Sequence, residues 1–421
     1  MHRYIVQLII LVSLAFSSSW VGVRSDSPKE SKSAVLSSTI QETFLQFEFD
    51  GYHMIEAQTP NGVEYIINLE GGSSILDAGS PDLDHFTTSI VIPDQGTTSI
   101  EVISSSYRDY ENVMVAPSKG NFSRSIIPSE VEYVYNDTYN QDSFYPGTLA
   151  ELRSPYILRD LRGQSVVIYP LQYNPHTNIL RVYSDIEVKV TTAGSDGENA
   201  LYRSESKRSL SREYNNIYQD LFLNYVNDTR FDYIVDEGNM LIISYGDFMD
   251  EMQPLVDWKN RKGIPTEMVS VSSIGSSSSA IESFVDNYYY ENGLTYLLLV
   301  GDIAQIPTPI VNGAASDPSY GFISGNDSFA EVIVGRFSAN NPSELVTQIE
   351  RTLSYEQSPS HTEHFNSALG IASNQGPGYG GYSDNEFNDF LWNTLLEDYT
   401  YENFNSVYDP SGSVSDAVNL I

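Results

Sequence analysis

The feature that most constrains this 421-residue chain is a change of hydrophobic pattern near residue 228. Before that point, short runs such as residues 41–49 alternate polar and apolar side chains, which is the period of a half-buried β-strand. After it, apolar strands such as residues 296–300 alternate with amphipathic helices such as residues 247–262. The two patterns bury their apolar faces differently, so the chain is expected to form two folding units.

The first unit, residues 40–195, is predicted to be all-β and sandwich-like. Its period-two runs recur at short spacing, and turn clusters such as residues 59–62 separate them. The predicted strands are residues 41–49, 65–69, 89–92, 98–103, 131–135, 165–169 and 186–191.

The second unit, residues 228–421, is predicted to be an α/β domain with a mostly parallel sheet, because strands joined by helices run parallel. Its predicted strands are residues 240–244, 267–271, 296–300, 331–334, 368–372 and 405–408, and its predicted helices are 247–262, 279–291, 343–357 and 383–398. A last helix begins after Ser413 and reaches Ile421 without a stop signal, so we expect this domain to be truncated.

The first 25 residues have the pattern of a secretory signal peptide. Arg3 supplies positive charge, residues 5–16 are nearly all apolar, and serines follow at 17–19. The apolar run is shorter than the roughly 20 residues of a membrane span, and no later segment qualifies. We expect a secreted or cell-surface protein with a flexible leader at residues 26–39; an uncleaved anchor is the alternative.

The charge and the cysteine content exclude several function classes. Acidic residues outnumber basic residues 56 to 22, and the formal net charge is −34. Such a surface repels nucleic acid and anionic membranes, whereas it suits either calcium binding or simple solubility. The sequence contains no cysteine, so these residues provide neither a thiolate metal site nor a cysteine nucleophile.

Residues 196–227 are predicted to link the two units. A cluster of basic residues lies within them, in a chain with only 22 bases: Arg203, Lys207, Arg208 and Arg212. Exposed, flexible, basic stretches between domains are common sites of proteolytic cleavage. This segment is therefore either a maturation site or an ordinary solvated linker or helix start.

Acidic residues follow the apolar strand at 296–300, where α/β sheets gather functional groups. Calcium takes six to eight oxygens from carboxylates and carbonyls, so these residues form either a calcium site or a solvated acidic loop. The candidate ligands are the carboxylates of Asp302, Asp327 and Glu331 and the carbonyls of Ser324 and Phe329.

From about residue 240 the chain resembles the gingipain-type cysteine peptidases, peptidase family C25, which have a caspase-like α/β fold. The resemblance rests on Asp257-Trp-Lys-Asn-Arg-Lys-Gly-Ile-Pro-Thr-Glu267, Tyr296-Leu-Leu-Leu-Val-Gly-Asp302, Ser316-Asp-Pro-Ser-Tyr-Gly321, Gly325-Asn-Asp-Ser-Phe-Ala-Glu-Val-Ile-Val-Gly-Arg-Phe-Ser338, Gln348-Ile-Glu-Arg351, Tyr355-Glu356 and Tyr408-Asp-Pro410. Residues 40–195 resemble the β-rich propeptide of the same family by position and strand pattern.

The resemblance implies a secreted bacterial cysteine endopeptidase precursor, a zymogen in which the propeptide packs on its own catalytic domain until it is cleaved off. It therefore favours maturation between Arg203 and Arg212. It also implies calcium at Asp302, Ser324, Asp327, Phe329 and Glu331. Asp384 is the counterpart of an aspartate that receives the substrate's arginine in arginine-specific members, with Glu386 as a competitor, and Gln375 stands near the place of an acid that supports the catalytic histidine.

The catalytic His and Cys of the family follow later strands, so the resemblance places them after residue 421. This chain alone is then expected to be inactive, and the complete product is expected to act on proteins or peptides. Two alternatives stay open. One is a sortase or transpeptidase of the same family that joins secreted proteins to a surface anchor, and the other is a non-catalytic secreted binding module.

Overall fold

The computed structural model of the chain describes residues 18–123, 126–202, 210–225, 235–359, 363–376, 382–396, 399 and 401–420. Most of the predicted signal peptide lies outside these residues, and so do Arg203, Lys207 and Arg208 of the predicted processing region. None of the helices in the described ranges combines the length and the apolar character needed to cross a membrane.

The first unit is built from strands. They are β1 Ser18–Gly22, β2 Lys32–Ser38, β3 Glu42–Glu48, β4 Gly51–Thr59, β5 Gly62–Asn68, β6 Ser73–Ser74, β7 Asp84–Ile92, β8 Thr97–Glu111, β9 Ala150–Leu152, β10 Tyr156–Leu158, β11 Leu161–Ile168, β12 Leu171–Asn174 and β13 Ile179–Ala193. Short 3₁₀ turns lie at Pro128–Glu130 and Asp137–Asn140.

The long strand β13 organises this unit. It pairs antiparallel with β8 along its whole length on one side and with β12 and β3 on the other. A second antiparallel sheet runs β10-β11-β7-β6, and β1, β4 and β5 form a third. Alternate residues from the first two sheets fill one core in which Leu45, Phe47, Ile90, Val166 and Val188 are fully buried. The prediction of a strand-rich first unit is confirmed.

Two segments that the sequence predicted to be signal peptide and flexible leader contain strands. β1 pairs with β4, and β2 pairs with β3. In β2 the serine and lysine residues that suggested flexibility share the strand with Val35, which packs against the core. A period-two pattern with few apolar residues is enough to form a strand here, because the neighbouring strand supplies hydrogen-bond partners for its backbone.

The strand predicted at residues 131–135 is wrong. This segment has no regular backbone pairing, and side chains attach it to the sheet instead. The Tyr135 hydroxyl donates a hydrogen bond to the Glu64 carboxylate and lies 3.0 Å from the Thr59 hydroxyl. Tyr135 is therefore held by side-chain contacts with β4 and β5, and Tyr133 by the ammonium of Lys119 over its ring.

The predicted linker contains a helix, α1 Arg212–Leu221, preceded by β14 Leu210–Ser211. Tyr214, Tyr218 and Phe222 recur every four residues, so they share one helix face. That face is buried against Tyr156 and Leu158 of β10. Arg212 is the first residue of α1 and pairs with Glu237.

The second unit alternates strands and helices. Its elements are β15 Val235–Asp236, β16 Met240–Ser244, α2 Met249–Arg261, β17 Thr266–Ser270, α3 Val271–Ile274, α4 Ser278–Asn292, β18 Tyr296–Val300, β19 Ile310–Val311, β20 Ala314–Ala315, β21 Ile333–Phe337, α5 Pro342–Gln357, β22 Ser367–Ala372, α6 Asp384–Leu391, β23 Asn403–Tyr408 and α7 Val414–Leu420. Further turns lie at Gly246–Phe248, Asp317–Gly321, Glu363–Asn366 and Trp392–Leu396.

A parallel sheet of order β17-β16-β18-β21 forms the centre of this unit. Successive residues of a strand point to opposite faces, so both faces of an apolar strand can be covered. Leu241 and Leu297 pack against α4 on one face, whereas Ile242 and Val300 pack against α2 and α5 on the other. The prediction of an α/β unit with a parallel sheet is confirmed, and β22 and β23 form a further parallel pair.

One carboxylate joins α2 to α5 on the surface of this unit. Glu356 accepts hydrogen bonds from Trp258 Nε1 at 2.9 Å, Lys259 Nζ at 2.7 Å and Lys262 Nζ at 3.1 Å. Partial burial by itself raises the pKa of Glu356, but these three donors outweigh it and lower the pKa to about 2. The folded state therefore favours the ionised carboxylate.

Glu356→Gln is expected to lower the free energy of unfolding by about 1 kcal/mol at neutral pH, because partly exposed ion pairs are individually weak. The pKa is depressed from 4.5 to about 2 in the folded state, so the stabilisation is present above pH 4.5 and disappears as the pH falls through about 2. Urea unfolding at several pH values measures this. Glu350→Gln, on the exposed side of the same helix, is the control, and an equal loss in both variants contradicts the prediction.

Candidate functional site

Polar groups gather at the carboxyl ends of β18 and β21. Gly301 follows β18 with φ of 131°, a conformation that L side chains rarely adopt, and this turn places Asp302 at the edge of the sheet. Asp302 Oδ1 accepts hydrogen bonds from the Ile303 N–H at 2.8 Å and from the Ser338 hydroxyl at 3.1 Å. These donors lower the pKa of Asp302, which favours its ionised form.

A bidentate ion pair fixes the loops beside Asp302. Arg336 of β21 donates from Nε and Nη2 to the two Asp317 oxygens, each at 2.7 Å. Its Nη1 donates to the carbonyls of Gly301 at 2.8 Å and Ile306 at 3.0 Å. This pairing lowers the pKa of Asp317. The result is a rigid edge in which both loops are held by one guanidinium.

A cleft of about 300 Å³ opens at this edge, lined by Asp302, Ile303, Thr308, Ala315, Asp317 and Arg336. Its charged groups are paired or hydrogen-bonded and therefore held in place. They can position a ligand and set the electrostatic potential around it. They include no cysteine thiol, because the sequence contains no cysteine.

The predicted calcium loop faces the first unit. Glu331 is fully buried, and its Oε2 accepts from the N–H groups of Ile323 at 2.8 Å and Ser324 at 2.9 Å. Its Oε1 accepts from the N–H of Arg159 at 3.3 Å. Burial raises the pKa of Glu331 to about 7, although these hydrogen bonds oppose that rise.

Asp327 makes contacts of the same kind. Its Oδ1 accepts from the N–H of Phe329 at 3.0 Å, and its Oδ2 accepts from the N–H of Ile157 at 2.9 Å and from Asn199 Nδ2 at 3.3 Å. Ile157 belongs to the first unit, and Asn199 belongs to the segment that directly follows it. Asp327 and Glu331 therefore hold the two units together.

The structure does not bring Asp302 together with Asp327 and Glu331. β18 and β21 are parallel, with Tyr296 opposite Ile333 and Val300 opposite Phe337. Asp302 follows the end of β18, whereas Glu331 precedes the start of β21, so they lie at opposite edges of the sheet. A five-residue strand separates these edges by roughly 16 Å.

This arrangement does not fit one calcium shell that contains all five predicted ligands. Within the described ranges, no cluster of three acidic or histidine side chains is placed to hold a metal ion. The oxygens of Asp327 and Glu331 already accept N–H hydrogen bonds, which supply the positive partners that a cation would otherwise supply. Calcium binding itself stays a prediction.

Asp384, the predicted substrate-binding residue, is the first residue of α6 and lies close to the carboxyl end of β22. Its Oδ2 accepts from the Ser373 hydroxyl at 2.7 Å, just beyond that strand. Its competitor Glu386 forms a capping box with Ser383, and this bonding lowers the pKa of Glu386. Asp384 is thus placed at a strand end, and Glu386 has a structural task in the helix start.

The sequence analysis missed the residues of the first unit that contact the second. The ring of Tyr156 stacks on Phe329 with centroids 3.8 Å apart, and Asn199 Oδ1 accepts from the Asn326 N–H at 2.9 Å. Arg159 enters the second unit from the turn between β10 and β11, and Tyr214 of α1 donates to the Ala330 carbonyl at 2.9 Å. The sequence carried one sign of this contact, the charged pair Arg159-Asp160 between two apolar strands.

Comparison with known proteins agrees with the two-unit organisation. The family model Propeptide_C25 matches residues 25–225, and the model of peptidase family C25 matches residues 235–417. Gingipain R2 of Porphyromonas gingivalis is 36% identical over 414 residues, which cover 95% of this chain and 56% of that protein. Lys-gingipain of the same organism is 26% identical over 375 residues, covering 83% of this chain and 21% of that protein.

Among solved structures, a complex of Porphyromonas gingivalis RgpB pro- and mature domains is 35% identical, with a TM-score of 0.42, and the match covers 46% of this chain and 98% of that chain. The chain spans about half the length of the gingipain R2 that it matches. The two family models follow each other along almost the whole chain. The chain therefore belongs to peptidase family C25 and carries that family's propeptide ahead of its peptidase domain.

Proposed function

We propose that this chain is the propeptide and the first part of the peptidase domain of a secreted cysteine endopeptidase, with the catalytic His and Cys after residue 421. The observation that carries the proposal is the docking of the family's propeptide on its peptidase domain through buried hydrogen bonds at Asp327 and Glu331. The absence of cysteine from these 421 residues and the partial coverage of gingipain R2 support the position of the nucleophile.

The chemistry follows from the groups that this reaction class needs. A Cys thiolate attacks the peptide carbonyl, and a His transfers the proton to the leaving amine. In α/β sheets such groups meet at the carboxyl edge, here the edge that carries Asp302, Asp317 and Arg336. We propose that this sheet is part of a caspase-like domain and that the Arg336–Asp317 pair keeps its carboxyl edge rigid.

Latency is the proposed role of the first unit, and cleavage in the basic segment is the proposed activation step. Leu201 and Leu210 are both buried, and they flank the segment that contains Arg203, Lys207 and Arg208. A cut between these two residues would divide the covalent chain and leave both buried side chains in place.

Asp384 is proposed to receive an arginine side chain of the substrate. A carboxylate and a guanidinium form two parallel charge-assisted hydrogen bonds, which a lysine cannot reproduce. The sortase alternative shares the α/β core and the need for the Cys, and it transfers the acyl group to an amine instead of water.

The complete gene product is expected to hydrolyse peptides after arginine in a thiol-dependent reaction, whereas the 421-residue chain is expected to be inactive. Asp384→Asn should lower kcat/KM for arginine peptides by roughly 10- to 100-fold, the value of one charged hydrogen-bonded pair. Fluorogenic peptide amides measure this, with an added amine to detect acyl transfer.

Glu386→Gln is the matched control, because it changes the helix cap and leaves Asp384 in place. Activity that survives iodoacetamide, or a downstream frame without cysteine, contradicts the peptidase proposal. Aminolysis that exceeds hydrolysis favours the sortase.

Secreted material is expected to begin at a new N-terminus between residues 204 and 216. Replacing Arg203, Lys207 and Arg208 by Gln should block this processing, since these are the basic residues that precede Arg212, which begins α1 and pairs with Glu237. N-terminal sequencing of the purified protein measures it. Recovery of only the form that lacks the signal peptide contradicts the maturation site, and Arg153→Gln, an exposed change in the first unit, is the control.

Calcium stays a proposed ligand on the strength of the resemblance, and no step above depends on it. Excess calcium is expected to raise the melting temperature relative to EDTA by a few degrees, on the order that weak binding gives. Asp327→Asn should lose this difference. Asp302→Asn tests whether the opposite edge contributes, and identical melting curves for the wild type with and without calcium contradict the site.

A further inference from the structure

Strand β1, Ser18–Gly22, lies inside the 25 residues that the sequence predicted to be a signal peptide. It pairs antiparallel with β4 over all five of its residues, from Ser18 opposite Ile55 to Gly22 opposite Gly51. β4 pairs on its other side with β5, so β1 completes a three-stranded sheet. A segment that is cut off during export cannot contribute to the folded product, so this strand helps to locate the cut.

Trp20 occupies a site that the first unit provides for it. Its ring lies edge-on against the His53 ring, with centroids 5.0 Å apart, and its Nε1 donates to the Ser25 carbonyl at 3.0 Å. The ring approaches Gly51 so closely that a Cβ at that position would collide with it and with the Val21 carbonyl. The start of β4 therefore accommodates Trp20 only because residue 51 is glycine.

The residues that follow β1 are tied to the first unit as well. The N–H groups of Val23 and Arg24 donate to the Asp50 carbonyl at 2.9 and 3.0 Å. Val21 and Val23 pack against the core of the first unit, and the Arg24 guanidinium donates to Asp185 of β13 at 3.1 Å. The backbone and side chains up to Arg24 are thus complementary to the folded unit.

Signal peptides end with small residues one and three positions before the cut. After the apolar residues 5–16, this spacing occurs at Ala15 with Ser17, at Ser17 with Ser19, and at Val23 with Ser25. A cut after Ser17 or Ser19 keeps Trp20 in the protein, whereas a cut after Ser25 removes Trp20 and every contact described above. The packing of β1 distinguishes between positions that the sequence pattern leaves equal.

We propose that signal peptidase cuts this chain within the serine run at residues 17–19, after Ser17 or after Ser19, so that Trp20 stays in the N-terminal strand of the exported protein. The step is a hydrolysis. One water adds across the peptide bond and leaves a carboxylate on the released leader and an α-amine on the strand. The inference rests on the proposed function only in taking the chain to be exported behind a signal peptide.

The position of the cut determines whether one edge of β4 is covered. β5, on the other side of β4, pairs with the segment that follows β8. The Tyr65 N–H donates to the Met114 carbonyl at 2.8 Å, and the Ala116 N–H donates to the Tyr65 carbonyl at 2.9 Å. Loss of β1 would leave the backbone groups of β4 without partners along that edge.

The first test reads the N-terminus directly. Residues 1–421 are produced in a bacterium, recovered from outside its inner membrane, and examined by intact-mass spectrometry and N-terminal sequencing. The expected first residue is Ser18 or Trp20. Any other new start, Asp26 above all, overturns the inference and leaves export intact, whereas a chain that keeps Met1 contradicts both the inference and the proposed export.

Variants test which residues direct the cut. Ser17→Leu combined with Ser19→Leu should abolish cleavage in the serine run, because both candidate bonds lose the small residue that precedes them. Ser25→Leu is the matched control and should be cut as the wild type is. Unchanged cleavage in the double variant, or loss of cleavage in the control, overturns the assignment.

Hydrogen exchange gives a readout that does not depend on export. Two chains are made without a signal peptide, one starting at Ser18 and one at Asp26, and both end at Ile421. The longer chain is expected to show slower exchange of the β4 amides and a melting temperature several degrees higher. Equal exchange in the two folded chains overturns the proposed place of β1. If circular dichroism shows that the shorter chain does not fold, the N-terminal sequence decides.

Discussion

The parallel register of β18 and β21 is the constraint on which the other features of this molecule depend. Because Tyr296 stands opposite Ile333, everything that follows β18 lies at one edge of the sheet and everything that precedes β21 lies at the other. The first edge carries the Asp302 cleft and the Arg336–Asp317 pair. The second edge carries the Glu331 loop and receives the propeptide. The cleft and the propeptide contacts are thereby separated by the length of one short strand.

The interface at the second edge buries acidic side chains, which is unfavourable unless they are hydrogen-bonded. A chain of formal net charge −34 brings two carboxylates, Asp327 and Glu331, against a neighbouring unit, and Glu331 is fully buried there. A buried carboxylate is stable only with hydrogen-bond donors, and here backbone N–H groups and an amide supply them. Arg159 adds the positive charge, and Tyr214 and Tyr289 shield it from water. The interface is specific because each of these groups is costly when unpaired.

The hydrophobic patterns of the sequence predicted individual strands and helices better than they predicted how these elements contact one another. The bounds of β16 and β18 follow directly from their apolar runs, and Gly293 ends α4 in the left-handed conformation that a helix stop favours. β1, β2 and α1 escaped prediction because their stability comes from partners distant in sequence. The predicted calcium ligands were grouped by nearness in sequence, but strand direction places Asp302 and Glu331 at opposite edges. Arg159 was missed, because an arginine in a turn is expected to be exposed until the neighbouring unit is known to cover it.

Because the propeptide contacts the amino edge of the sheet directly, cutting the connecting segment does not by itself release it. While the chain is intact, the propeptide binds intramolecularly, and a connecting segment of a few residues gives an effective concentration in the millimolar range. Cutting the segment removes this tether but leaves Arg159, Asn199 and the Tyr156–Phe329 stack in place. If the chain is cut there as proposed, dissociation depends on the free concentration of the two pieces, so dilution favours their separation. The charge-assisted hydrogen bonds from Arg159 to the Leu294 and Glu331 carbonyls oppose this dissociation, so the proposed release of the propeptide is a step separate from peptide-bond cleavage.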